Sequence, residues 1–214
     1  MIKNYFFDFD KTLADSGGVS ISATKEAFKV MGFAVPETNV ILGYMGIPAE
    51  ISFKKMARES LSETQIQKLT DTFRTIYQKV EMKSTKLYPN IVSMLTSLKK
   101  ANKNIFIVSS KKTDAVERNL NNLKIISFFQ DIVGFDKVKN YKPAPDGILL
   151  LLSKYDLVKD ESLMIGDAKY DIQMGKAVGI KTCGALWGAF DVNGLANERP
   201  TYLIDQPMEL VTLE

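Results

Sequence analysis

The chain has 214 residues, 45% hydrophobic and 25% charged, with a formal net charge of +3 spread along its length. That length holds one large domain or a core plus a smaller module. No apolar run nears the roughly 18 residues that span a bilayer, and no signal-peptide layout opens the chain. Small, dispersed charge argues against a nucleic-acid or membrane surface, so a cytoplasmic protein is the simplest expectation.

Ile2–Phe7 is apolar and aromatic with few breaks, as in a strand buried on both faces. From about Ser16 to Ser84 there is no convincing strand. Ile21, Thr24, Phe28 and Met31 share one helical stripe, and Leu42–Pro48 reads as a turn joining two shorter helices. Ser62 and Gln65 form a capping-box pattern ahead of Ile66, Leu69, Phe73, Ile76 and Val80, a long amphipathic helix. The spacing predicts an all-helical insert over 16–85, with hinges at Ala14–Gly18 and Ser84–Tyr88. Beyond it, short apolar runs recur at Ile105–Val108, Ile132–Val133, Leu163–Ile165, Thr182–Leu186 and Tyr202–Ile204. Helical patterns separate most of them: Ile91, Met94, Leu95 and Leu98 after Pro89 at a first helical position, then Val116–Leu123, Ile148–Leu152 and Ile172–Val178. Alternation of this kind predicts an α/β fold, a doubly wound, mostly parallel Rossmann-like sheet of residues 1–15 and 86–214, covered on both faces.

There is no histidine, so no imidazole base, no His-activated serine or cysteine and no His-ligated zinc. Cys183 is the only cysteine and lies in an apolar stretch, where a buried small hydrophobe is expected. Chemistry falls to carboxylates, lysines, hydroxyls and the backbone. In an open parallel sheet the ligand crevice lies at the carboxyl ends of the strands. Four polar groups fall there: Asp8 with Asp10, Ser109 with Ser110, Lys142, and Asp167 with Asp171. Each has a plain structural reading too. Asp-x-Asp at a strand end can be a turn or helix cap, Asp171 a first-turn helix carboxylate, Ser109 a helix N-cap, and Lys142 a solvated loop lysine. Taken together, the acids make a hard-oxygen site suited to Mg²⁺, with a lysine and a hydroxyl suited to a phosphate. Without histidine, a carboxylate is the obvious nucleophile toward phosphorus.

The order of these motifs resembles the haloacid dehalogenase superfamily, specifically its phosphatases with a helical cap after the first strand, in the phosphoglycolate phosphatase-like and β-phosphoglucomutase-like branch. Phe7–Leu13 is similar to the first family motif, Val108–Ser110 to the second, Lys142-Pro143 to the third and Gly166–Asp171 to the fourth. The resemblance implies a Mg²⁺-dependent phosphoric monoester hydrolase acting on a small phosphorylated metabolite. It implies Asp8 as nucleophile and metal ligand. Asp10 would be the acid–base, with its main-chain carbonyl on the metal, and Asp167 the remaining metal ligand. Asp171 would support the site, and Thr12 would hold the loop around the acids. Ser109 and Lys142 would hold the phosphoryl group, with Ser110, Tyr44 and Gly46 near the substrate. Lys11 departs from the glycine usual there and is expected to point to solvent or toward the cap. Lys54, Lys55 and Arg58, on the helix after the turn, read as a solvated basic face. Asp10 argues against dehalogenase chemistry, and Gly166-Asp167 with Asp171 is the phosphatase pattern. A sugar-phosphate mutase and a phosphate-binding signalling protein without turnover are the alternatives. A monomer or homodimer is expected.

Overall fold

The computed structural model describes residues 1–213. The chain opens with β1 (Asn4–Phe7) and a short β2 (Ala14–Asp15). Four helices follow: α1 (Gly17–Val30), α2 (Thr38–Gly43), α3 (Ala49–Met56) and α4 (Glu63–Ser84). Then β3 (Lys86–Leu87), α5 (Ile91–Lys100), β4 (Asn104–Val108), α6 (Thr113–Asn122) and β5 (Asp131–Val133) return to the sheet. The rest is α7 (Asp146–Lys154), β6 (Ser162–Gly166), α8 (Lys169–Val178), β7 (Lys181–Ala185), α9 (Val192–Asn197) and β8 (Tyr202–Ile204). No helix among the described residues is long and apolar enough to cross a membrane.

Six strands form one sheet in the order β5-β4-β1-β6-β7-β8, and every pairing is parallel. The two-residue period of a strand explains why its runs are apolar throughout. Tyr5, Phe7, Ile105, Ile107, Leu163 and Ile165 point to one face, packed with Ile91, Leu95 and Leu98 of α5 and Val116 and Leu120 of α6. Phe6, Phe106, Val108 and Met164 point to the other, against Ile148 and Leu151 of α7 and Met174 and Val178 of α8. Cys183 lies fully buried in the first cluster. Strand order reverses around β1, so the ends of β1, β4 and β6 converge on one crevice.

Helices α1–α4 pack on a cluster of their own around Phe28, Ile41, Phe53 and Leu69. They are tied to the sheet by a two-stranded antiparallel ribbon, Ala14 opposite Leu87 and Asp15 opposite Lys86. The capping box at Ser62 and Gln65 is present. Three sequence expectations are corrected here. Pro89 does not open a helix: Asn90, at φ 66°, is the N-cap of α5. Arg58 lies beyond α3, which ends at Met56, although Lys54 and Lys55 are exposed on that helix. Val80 is exposed, and Tyr77 and Glu81 take the buried face of α4. Their partners explain it. Glu81 binds Arg118 Nε at 2.5 Å and Asn119 Nδ2 at 2.8 Å, so this end of α4 buries a charged face against α6.

Candidate active site

β1 delivers Asp8. Its amide donates to the Ile165 carbonyl at 2.9 Å, which continues the β1–β6 pairing one residue past the strand. β6 ends at Gly166 and delivers Asp167 as the next residue, and the first turn of α8 delivers Asp171. Oxygens of Asp8, Asp167 and Asp171 lie within 4.8 Å of one another, and all three residues are buried. Gly166 makes this possible, since a Cβ there would sit 2.2 Å from the Asp171 carboxylate. Asp171 is anchored through Oδ2, which accepts the Ala168 amide at 3.1 Å.

Lys142, only 3% exposed, bridges two of these acids. Its Nζ donates to Asp8 Oδ1 and to Asp171 Oδ1, each at 2.7 Å. Thr12 Oγ1 donates to Asp167 Oδ1 at 3.0 Å, and Lys11 Nζ stands 3.9 Å from Asp167 Oδ2. Burial raises the Asp8 pKa to about 7; Lys142 pulls it down while Asp171 and Asp10 push it up. Asp167 is raised well above the usual carboxylate range, first by burial and then by Asp171 and Asp8, with Lys11 and Thr12 opposing. Burial works against the charge on Lys142, but Asp171 and Asp8 outweigh it and raise its pKa.

Asp10 separates from this group. The chain turns after Phe9, and the Asp10 carboxylate accepts from Ser16 Oγ at 2.6 Å and Lys111 Nζ at 2.8 Å. Lys111 also donates to Tyr77 Oη at 3.0 Å and lies over the Phe9 and Tyr77 rings. The carboxylate that clusters with Asp8 and Asp167 is therefore that of Asp171, not Asp10. Asp8 and Asp10 still line one cavity of about 270 Å³ between the strand ends and the helical insert. Ser109, Ser110, Tyr44 and Gly46 line it too. Ser109 is 4% exposed, and its Oγ accepts the Lys111 amide at 3.1 Å. It is not the N-cap of α6, which is Lys112. Ser110 Oγ donates to the Gly46 carbonyl at 2.7 Å, a direct link between the sheet and the insert.

Lys11 does not point to solvent, although its side chain does pass the start of the insert, where a Cβ on Gly17 would lie 3.7 Å from its Cε. It is 9% exposed and turns inward, toward Asp167 and the Phe190 ring, because the deeply buried carboxylate attracts its charge. Its φ of 61° lies in the left-handed region, which accounts for glycine being usual there. Sequence reasoning missed Lys111, Tyr77, Ser16 and Trp187. Trp187 Nε1 donates to the Thr12 carbonyl at 2.9 Å, and a Cβ on Gly188 would sit 1.6 Å from the Lys11 carbonyl oxygen. That loop clasps the Asp8–Thr12 turn from behind. The available signals were slight: Lys111 directly follows Ser109-Ser110, and Trp187 is the sole tryptophan, next to a glycine.

The family model described as haloacid dehalogenase-like hydrolase matches residues 5–185. The chain belongs to that family. Among the chain's relatives, the phosphoglycolate phosphatase of Vibrio cholerae is 30% identical over 213 residues, covering 95% of this chain and 93% of the relative. The pyrophosphatase PpaX of Oceanobacillus iheyensis is 27% identical over 214 residues, covering 99% and 96%. A haloacid dehalogenase-like hydrolase from Streptococcus pneumoniae superposes with a TM-score of 0.86 at 30% identity, over 99% of this chain and 97% of that one. The protein is thus an enzyme of the haloacid dehalogenase-like class, a phosphatase by kinship, on the Rossmann-like fold of its structural neighbours.

Proposed function

We propose that the protein is a Mg²⁺-dependent phosphatase that hydrolyses a small phosphorylated metabolite through an aspartyl-phosphate on Asp8. The buried Asp8–Asp167–Asp171 group bridged by Lys142 carries this reading. The donor set fits a hard divalent cation. Three buried carboxylates face the positive charges of Lys142 and, at 3.9 Å, Lys11; burial first and their mutual repulsion second raise Asp8 and Asp167, a cost that a cation among them would relieve. Asp8, Asp167 and the Asp10 main-chain carbonyl would hold Mg²⁺, with Asp171 behind them. The ion would neutralise charge on the phosphoryl oxygens.

The chain's own groups divide the remaining work. An Asp8 oxygen attacks phosphorus as the bond to the leaving oxygen breaks, and Asp10 gives that oxygen its proton. Water then attacks the aspartyl-phosphate, Asp10 takes the proton back, and Asp8 and inorganic phosphate are released. Lys142 balances charge and orients Asp8. Ser109 keeps its hydroxyl proton available for a phosphoryl oxygen while its oxygen accepts the Lys111 amide. Thr12 steadies Asp167.

In this reading residues 16–85 act as a cap over a core of 1–15 and 86–214, excluding water from the cavity. Tyr44, Gly46 and Ser110 form the rim that meets the substrate. The named relatives make phosphoglycolate and pyrophosphate the first substrates to test. The protein would work in the cytoplasm, as a monomer or homodimer. Replacement D8N is expected to abolish Mg²⁺-dependent phosphate release from an aryl phosphate. Substantial turnover by a clean D8N preparation would exclude the aspartyl-phosphate route.

A further inference from the structure

The cavity over Asp8 has two ends of different chemistry. At the strand ends stand Asp8, Asp10 and Ser109. Toward the insert the wall is built from Ile41, Tyr44, Met45, Ile47, Phe53 and Phe73. Phe53 and Phe73 meet edge to face with centroids 5.1 Å apart, and Phe73 continues to Tyr77 at 5.6 Å, so this wall is largely aromatic and aliphatic. The polar groups among it are Ser20, Thr24, Ser52, Tyr77, Gln78 and Arg74, of which only Arg74 carries a charge.

The cations that line the cavity are mostly committed. Arg74 is paired with Glu50, Arg118 with Glu81 and Lys111 with Asp10. Lys112 is the one lining cation outside such a pair among the described residues. A leaving group carrying its own carboxylate or phosphate needs unpaired cations or a bidentate arginine to meet it. Entering here, it would have to break an existing ion pair or lose its hydration against aromatic rings.

We infer that the substrate is a phosphomonoester whose leaving group is uncharged and has an apolar body, seated against Tyr44, Met45 and Phe73, the partly exposed residues of that wall. This rests on the phosphatase reading and narrows its substrate class. It sets the protein apart from a phosphoglycolate or pyrophosphate specificity, in which the leaving group is an anion. A volume of about 270 Å³ suits a small metabolite, near the lower end of the ~300–1,000 Å³ usual for ligand sites.

The test measures kcat/KM with saturating Mg²⁺ for ethyl, propyl, butyl and pentyl phosphate, and for phosphoglycolate and pyrophosphate. Leaving-group reactivity is nearly constant along the alkyl series, so the trend reads the wall alone. The inference expects kcat/KM to rise about fourfold per methylene until the cavity is filled, with the longer esters exceeding both anionic substrates. Met45→Lys should then flatten the series and shift the ratio of phosphoglycolate to butyl phosphate turnover about tenfold toward phosphoglycolate. A flat or falling alkyl series, or preference for phosphoglycolate or pyrophosphate in the unaltered enzyme, overturns the inference and leaves the phosphatase standing. Absence of Mg²⁺-dependent turnover with every ester overturns both.

Discussion

Replacing Lys142 by methionine removes one positive charge from a group of buried acids while keeping the volume of the side chain. Its Nζ lies 2.7 Å from both Asp8 and Asp171, with all three side chains almost wholly buried. Taking one partner from a buried ion pair costs about 3–5 kcal/mol, because the remaining charge is left uncompensated. In a chain of 214 residues that is a fall in Tm of about 10 °C. The loss should depend on pH in a specified direction. The folded pKa of Asp8, about 7, is above its unfolded value of 3.8. Stability held by that proton is complete below the unfolded pKa and is lost as pH climbs to about 7, after which the Asp8 contribution in the wild-type protein levels off. Without Lys142 the folded pKa moves higher still, so the variant keeps losing about 1.4 kcal/mol per pH unit above 7. The penalty of K142M should therefore be about 2 kcal/mol larger at pH 8.5 than at pH 7. Urea and thermal unfolding of both proteins with divalent metal chelated would measure it. Equal penalties at the two pH values, or a variant as stable as wild type, would refute the electrostatic account of the site.

Under the proposed function Mg²⁺ would have to displace protons from the same acids, so its apparent affinity should fall below pH 7, by about tenfold between pH 8 and pH 6; titration calorimetry showing no change across that range would count against Asp8 as a ligand. Gly46→Ala should raise KM by about tenfold and lower Tm by about 3–5 °C. Gly46 has φ +100°, and a Cβ there would lie 3.1 Å from Ala168 and Tyr170, so the backbone would be strained and the insert would shift by a few tenths of an ångström from the start of α8. Gly188→Ala should lower kcat by at least about a hundredfold, since its Cβ would displace the Lys11 carbonyl and with it the turn that carries Asp8 and Asp10. Wild-type kcat in that variant would show that the clasp does not position the acids.

The sheet was readable because burial on both faces leaves strands such as Tyr5-Phe6-Phe7 and Leu163-Met164-Ile165 apolar at every position, a signal that needs no partner to be seen. Asp8 and Asp167 were readable because each breaks such a run at its end. What escaped depends on residues far apart in the chain. The β2–β3 ribbon has two residues per strand, too few for any period. Tyr77 and Glu81 look like the polar side of an amphipathic helix until Lys111, Arg118 and Asn119 are brought against them. Lys11 reads as a surface residue because lysine commonly is one, and only the depth of Asp167 turns it inward. The separation of Asp10 from Asp8 followed from a turn after Phe9 that an extended Asp-x-Asp does not anticipate.

The strand that carries Asp8 stands in the middle of the sheet, yet it precedes both of its neighbours along the chain. Asn4 pairs with Asn104 on one side and Ser162 on the other. During synthesis β1 is therefore made long before the segments that will flank it, and closing those loops is the slow, costly part of assembly. The α1–α4 bundle depends on nearer contacts and can form while β1 still waits. Asp167 sits just past the end of the later partner, β6, so the strand pairing that buries Asp8 is also what delivers its companion acid. A chain interrupted before Ser162 has Asp8 but neither the central strand's second neighbour nor Asp167 and Asp171. The order of synthesis thus withholds the charged centre until most of the hydrophobic sheet is ready to enclose it.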